Sequence, residues 1–357
     1  MSARPRSPVQ TSPLREREVV RLPADAPPAL LVVIDTEEEF DWSRPFDRAR
    51  TSVEAMRDVG RAQELFDRLG VRPVYVIDQP IASQEIGWRP LKEYQDDGRA
   101  VIGAHLHPWV TPPFEEELCD ANSYPGNLPA ELEERKLAHL ARTIERNLGR
   151  RPTIYKAGRY GFGPNTAAIL ERLGFRCDLS PCAGFDLSAD GGPDWSRLTP
   201  DAYRFGPGGR LLGLPATGAF VGWLAAWGAG LHRAAGRAPL RQVRAPGILS
   251  RSGALERLLL SPEGYTPAHL RRLTRALLRR GVRILSFSFH SPSLRPGCTP
   301  YVRSEADLKD LLASCRQYLE WFLGDLGGVT MTPQELEPLL AAPTAPTARS
   351  APTPHVA

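Results

Sequence analysis

Residues 31–42 read LVVIDTEEEFDW, Leu31 to Trp42, and pass from an apolar, β-branched run straight into Asp35, Glu37, Glu38, Glu39 and Asp41. The first half has the composition of a buried strand. The second half is a carboxylate cluster placed where that strand stops. Buried carboxylates are costly unless a cation or a reaction uses them, whereas an acidic run on a surface is an ordinary solvated turn. The rest of the chain decides between the two.

Working outward, the same design recurs. Ala29–Asp35 is the first strand, and a Thr51-x-x-Glu54 capping box predicts a helix through Val53, Met56, Val59, Leu65 and Phe66 to Gly70. Strands follow at 72–77 and 99–104, the latter running into His105-Leu106-His107. A helix is expected over 129–148, a strand at 153–156 leading to Arg159-Tyr160, a helix from Pro164 to Gly174, and a strand at 175–179. Short strands near 203–205 and 211–214 precede a helix starting at Thr266-Pro267, a strand at 282–289 ending at His290, a Ser304-capped helix, a strand at 329–331 and a last helix capped by Thr332 and Glu335. Strands alternating with helices predict parallel βα units. Their number suits an α/β fold, a single distorted (β/α) barrel over residues 28–340, with a disordered arm at 1–27 and a Pro/Ala/Thr tail at 341–357. No Gly-rich loop follows a strand, so a nucleotide-binding reading has no support.

Composition narrows the class. A hydrophobic fraction of 42% and a charged fraction of 24% are those of a globular protein, and a net charge of +4 is too small to argue for nucleic acid. The five cysteines form no CxxC pair, which excludes a zinc knuckle and fits reduced thiols. The first residues lack the apolar segment of a secretory signal, so the expected location is cytoplasmic. Residues 211–231 carry no charge and precede Arg233, Arg237, Arg241 and Arg244. Pro215 and the glycines argue against a spanning helix. The reading is a short strand and loop leading to a buried or groove-lining helix, with peripheral membrane contact through 211–244 as the alternative.

Chemistry gathers at strand ends. Asp35 and Glu37, His105 and His107, Arg159 and His290 each follow a strand, and a parallel barrel brings strand C-termini to one mouth. His105 and His107 stand two apart, so in an extended chain both rings face one way. With Glu37 or Asp35 they make a two-histidine, one-carboxylate set suited to zinc or another divalent metal. His139, His232 and His269 read as ordinary helix or surface residues.

These motifs, in this order, resemble the polysaccharide deacetylase family (the NodB homology domain, carbohydrate esterase family 4), and within it the WalW-like proteins. The resemblance runs from about Pro28 to Leu340 and implies a NodB-like barrel. VVIDTEEEFDW is similar to the motif that holds an aspartate base and an acidic metal ligand, which implies Asp35 and Glu37, with Glu38 the rival ligand. GAHLHPW resembles the motif of two metal-binding histidines, implying His105 and His107. AGRYGFG implies Arg159, which would hold Asp35 ionised and aimed, and LSFSFHSPSL implies His290 as the acid. DLSPCAGFDLSADGGPDW resembles the motif whose aspartate tunes a catalytic group: Asp186 first, with Asp178 and Asp194 behind it. Here the histidines are two apart where the family usually spaces them four apart, and Glu stands where Asp is usual. Trp42, Trp109, Tyr160 and Trp195 lie beside the motifs as candidates for stacking on sugar faces, with ordinary packing as the alternative. The implied function is metal-dependent removal of acetyl groups from an acetylated sugar, polysaccharide or lipid-linked glycan precursor. The implied cofactor is zinc, or cobalt, nickel or manganese. The alternatives are hydrolysis of a non-sugar amide and a non-catalytic glycan-binding or assembly protein.

Overall fold

Ala29–Thr36 is buried at every position, as a strand covered on both faces must be. In the computed structural model, which describes residues 16–40, 44–235, 247, 249 and 251–340, it is the centre of a large sheet. In chain order the strands are β1 (Glu18–Val19), β2 (Ala29–Thr36), β3 (Val74–Ile77), β4 (Val101–Leu106), β5 (Ile154–Ala157), β6 (Cys177–Asp178), β7 (Tyr203–Phe205), β8 (Leu211–Gly213), β9 (Gly218–Val221), β10 (Glu256–Leu259), β11 (Ile284–His290) and β12 (Val329–Thr330). Their order in the sheet is β1-β7-β8-β6-β5-β4-β3-β2-β11, with β12 on the first residues of β2. Pairings from β11 across to β6 and β8 are parallel, whereas β7 and β1 finish the sheet antiparallel. The protein is therefore mixed α/β with a mostly parallel sheet.

The expected barrel does not close. Among the described residues no ladder joins β11 to the far edge of the sheet. The reason lies after β8, where the chain makes a separate antiparallel pair, β9 with β10, instead of another βα unit. That pair reaches β11 only at isolated points, through Ser288 N–H to Leu260 O (3.0 Å) and Ser286 N–H to Thr217 Oγ1 (2.8 Å). The open sheet is nonetheless strongly coiled. Two strands separate β2 from β5, a span of roughly 14 Å on a flat sheet, yet Lys156 Nζ on β5 lies 2.6 Å from Asp35 Oδ1 on β2.

Alternation along β2 divides the interior. Leu30, Val32 and Ile34 join the larger core beneath the helices, while Ala29, Leu31 and Val33 join a smaller core on the concave face. Asp35 continues this second row. The same parity carries Ile154 to Lys156, Val101 to His105, and Ile284 to His290, so the polar site caps the inner core by the period-two rule alone. On the outer face the helix Ala130–Leu148 buries Leu137, Leu140, Ala141, Ile144 and Leu148, a one-sided stripe.

Several local expectations change. Glu18–Val19 and the buried Val20 and Leu22 belong to the fold, although the sequence placed them in the arm. Residues 1–15 and the tail at 341–357 lie outside the described residues. The Thr51–Glu54 box does not form. A 3-10 turn, Glu54–Asp58, precedes the helix Val59–Arg68, and Glu39 Oε1 takes the Ala55 N–H at 2.6 Å. The boxes at Ser304/Asp307 and Thr332/Glu335 are present, the second as the spacing predicts. Residues 218–221 form β9 where a buried helix was expected, and the helix begins only at Gly228. No helix among the described residues is long and apolar enough to cross a membrane.

Candidate active site

Strand register assembles the site. β11 pairs with β2 so that His290 lies opposite Asp35, and β4 pairs with β5 so that His105 lies opposite Lys156. Glu37 follows β2 and His107 follows β4. Asp35, Glu37, His105 and His107 are all buried.

Glu37 Oε2 lies 3.4 Å from Nε2 of both His105 and His107. Donors at the corners of a tetrahedron with arms of about 2.0–2.1 Å are about 3.3–3.4 Å apart, so Glu37 Oε2 is spaced from each imidazole as two ligands of one small divalent cation are, and all three atoms lie within 4.8 Å of one another. The other ring nitrogens are anchored. His105 Nδ1 donates to the Lys156 carbonyl at 3.0 Å, since that oxygen can only accept. His107 Nδ1 faces Glu38 Oε2 at 2.9 Å. This leaves Nε2 of His105 with its lone pair toward Glu37, and Nε2 of His107 likewise when Nδ1 donates to the Glu38 carboxylate, the arrangement metal-binding imidazoles need. The residues thus fit a divalent ion. Burial holds the His107 pKa below its ordinary value, against the pull of Glu37 and Asp78. Burial also opposes ionisation of Glu37, but the neighbouring histidines outweigh it and keep its pKa low.

Glu38 is turned the other way. It accepts from Trp109 Nε1 at 2.7 Å, and its own N–H donates to Asp78 Oδ2 at 2.8 Å. Burial pushes its carboxyl up to about 7 and that of Asp78 well above its ordinary value. The alternation expected from Asp35 therefore holds past Thr36: Glu37 faces the two Nε2 atoms and Glu38 backs His107. The short His-x-His spacing works because the strand remains extended here and the rings stand 4.6 Å apart. Gly158 leaves room for this, since a Cβ there would sit 2.5 Å from the His107 ring.

Asp35 is paired with Lys156, whose Nζ lies 2.6 and 2.7 Å from its two oxygens. Burial alone would raise the Asp35 pKa, but Lys156, His105 and His290 together hold it below the usual carboxylate range. Arg159 does not take this part. It sits one turn on at φ 54°, lies over Tyr124 (4.2 Å) and donates to Ser123 Oγ. The strand ends at Ala157, so of the two cationic residues it is Lys156, two after Ile154, that lies on the inner-face row. The readable signal was an ammonium-bearing residue at the buried end of a strand.

His290 Nδ1 is 2.7 Å from Glu263 Oε2, and its Nε2 is 3.7 Å from Asp35 Oδ2. Burial disfavours the imidazolium, but Glu263, Glu37 and Asp35 outweigh it and push the His290 pKa up to about 10. Glu263 also accepts from Ser293 Oγ at 2.5 Å and from the His290 N–H at 3.2 Å. Asp186 is elsewhere, exposed in a turn where it accepts from Ser188 Oγ at 2.6 Å. Asp194 bridges to the same turn. Asp178 is buried behind Lys156 and bonded to Ser180, with burial raising its pKa to about 7. Glu263 follows the short β10 with no periodic pattern around it, and nothing local marks it.

The aromatic candidates divide in the same way. Trp109 is buried, stacked on the His107 ring at 4.3 Å, and supports the site from behind. Trp195 is buried and donates to the Tyr160 carbonyl at 3.1 Å, securing the two left-handed residues Arg159 and Tyr160. Tyr160 is partly exposed with Lys156 Nζ 5.4 Å from its ring, which places it at the rim. Trp42 lies outside the described residues. Tyr301, half-exposed, lies close to Gly264, next to Glu263, and the motifs did not point to it.

No family model and no curated protein matches the chain. Solved structures align with it at low identity. The peptidoglycan deacetylase PdaC from Bacillus subtilis is 9% identical with a TM-score of 0.39, over 88% of this chain and 91% of that one. A CE4 family pseudoenzyme from Bacillus anthracis is 8% identical with a TM-score of 0.40, over 87% and 66%. A GH57 branching enzyme from Thermococcus kodakaraensis is 14% identical with a TM-score of 0.47, over 87% and 71%. At these values the likenesses assign no activity to the chain.

Proposed function

We propose that the protein is a metal-dependent hydrolase that removes acetyl groups from an acetylated sugar or glycan precursor. The observation that supports this most directly is the convergence of Glu37, His105 and His107 on one point beside Asp35 and His290. The sugar substrate rests on the ordered motif resemblance.

Glu37, His105 and His107 would hold the divalent ion, which when bound would supply Lewis acidity toward the attacking water and the carbonyl. Asp35 stays ionised at neutral pH because Lys156 grips it, and it accepts the proton of the attacking water. His290, kept protonated by Glu263, gives a proton to the leaving amine or alcohol. Glu263 orients that imidazole through Nδ1, so Nε2 faces the reaction. Lys156 and Asp35 form a buried pair, and losing either partner costs about 3–5 kcal/mol by leaving a buried charge alone. Tyr160 at the rim and Tyr301 close to Gly264 are suited to a sugar face.

The test is acetate release by the metal-loaded protein from acetylated amino sugars and oligosaccharides, beside small non-sugar amides, with Asp35→Asn as control. Release from the sugars with loss of roughly a thousandfold or more in the variant is the expected result. Turnover of only the small amides would move the substrate class. No turnover of any substrate, by protein shown to hold the metal, would overturn the reading in favour of a binding protein.

A further inference from the structure

β10 has two faces. Glu256 and Leu258 look toward the helix Pro267–Arg279, where Arg272 holds Glu256 at 2.7 Å and Leu258 joins the larger core. By the period of two, Arg257 and Leu259 look the other way. Register sets them opposite Phe220 and Gly218 of β9. Gly218 leaves that face open to Phe185, since a Cβ there would sit 2.9 Å from the Phe185 ring. The guanidinium of Arg257 lies over this ring, 4.2 Å from its centre. Arg257 is thus partly buried and braced by an aromatic face.

This cation stands beside the site. The Trp195 N–H donates to the Phe185 carbonyl at 2.7 Å, and Trp195 Nε1 donates to the Tyr160 carbonyl at 3.1 Å. The Tyr160 ring in turn lies 5.4 Å from Lys156 Nζ. Electrostatics agrees with that chain of contacts. Burial pushes the Cys182 thiol up to about 12, Lys156 and Arg257 both pull against it, and Asp35 adds to it. Arg257 and the Lys156–Asp35 pair therefore act on one thiol. Burial also raises the Tyr265 phenol, and Arg257 again pulls it down.

The neighbouring cations are matched. Lys156 has Asp35 at 2.6 Å, His290 has Glu263 at 2.7 Å, and Arg159 has Asp190 at 3.9 Å. Arg257 makes no ion pair and no hydrogen bond among the described residues. A guanidinium stays protonated in any protein setting and offers five N–H donors in a planar fork. Carboxylate and phosphate meet that fork with two parallel bonds and bring the missing charge, whereas a neutral hydroxyl brings none.

We propose that Arg257 is a specificity residue that binds an anionic group, a carboxylate or a phosphate, carried by the acetylated sugar. This rests on the reaction assigned above. Arg257 forms no ion pair with Asp35, so the anion belongs to a neighbouring substituent or sugar and not to the reacting acetyl group.

The experiment gives the metal-loaded full chain two matched pairs of substrates: an N-acetylglucosamine oligomer with and without a carboxylate on one sugar, and N-acetylglucosamine with and without a 1-phosphate. Acetate release yields kcat and KM for each. The expected result is a kcat/KM higher by roughly tenfold or more for the anionic member of one pair, and the pair that responds identifies the anion. Arg257→Gln should remove that advantage through KM and not kcat, and Arg257→Lys should restore part of it. Metal content of Arg257→Gln, equal to the parent's, shows that the site is intact. No anionic preference in the parent, or an equal loss on neutral and anionic members in Arg257→Gln, overturns the proposal. Calorimetric binding of the same sugars to Asp35→Asn protein needs no turnover and separates this assignment from the reaction. Anion-dependent binding that is lost on adding Arg257→Gln upholds it even where no substrate is hydrolysed. Binding indifferent to the anion overturns it and leaves the reaction standing.

Discussion

His107 and His290 sit at the same end of the same sheet, each with a carboxylate within 3 Å of Nδ1, and their proton affinities are driven in opposite directions. His107 is fully enclosed. Its partner Glu38 is itself pushed toward neutrality by burial, with Asp78 behind it, and the ring's pKa falls. His290 is one third exposed at its side chain, and its partner Glu263 is gripped by several donors. Its pKa climbs to about 10. A carboxylate neighbour therefore does not by itself make a histidine cationic. What matters is the balance between the burial of the ring, which wins at His107, and the carboxylates that face it, which win at His290. One ring is left with a lone pair for a cation, the other with a proton for a leaving group.

The sharpest way to break this comparison is to remove each side separately. His105→Ala/His107→Ala should abolish stoichiometric metal and activity together. His290→Asn should keep the metal and lower kcat by about a hundred- to ten-thousandfold. Elemental analysis alongside kinetics reads both, and equal metal in the His105/His107 variant would sink the ligand assignment. A smaller effect is expected behind the ligand. Glu38→Gln keeps the shape but weakens the anchor of His107, and metal affinity should fall about 10–100-fold, measured by competition with a chelator. Unchanged affinity would mean that Glu38 only fills space.

The smallest change concerns pH. His290 must be protonated to act, so activity is lost as pH rises through its pKa, and that pKa is raised by Glu263. Glu263→Gln should move the alkaline limb of kcat/KM down, toward the ordinary histidine value. The acid limb, set by Asp35 and its Lys156 partner, should stay in place because the pKa of Asp35 is held low by that contact. A shift of both limbs would show that the two sides titrate as one unit.

Much of this was legible without coordinates. A β-branched run ending at Asp35 and Glu37, and an extended His-x-His after another apolar strand, specify local geometry through a period of two. That period already placed Asp35, Glu37, His105, His107 and His290 on inward positions. The capping pattern at Thr332–Glu335 was equally local and is present. Open or closed was not a local property, because it depends on whether the chain after β8 adds another βα unit, and β9 pairs with β10 instead. Nor was the identity of the Asp35 partner. Lys156 reaches it only because the sheet coils, whereas Arg159, nearer to the expected motif, turns away at a left-handed residue. Glu263 came to His290 from a loop with no periodic pattern, across a distance no spacing rule covers. The amino-acid order settled which side chains line the inner face of each strand. The tertiary structure alone decided which of them meet, since contacts between strands depend on register and coil, and these are set by the packing of the whole sheet.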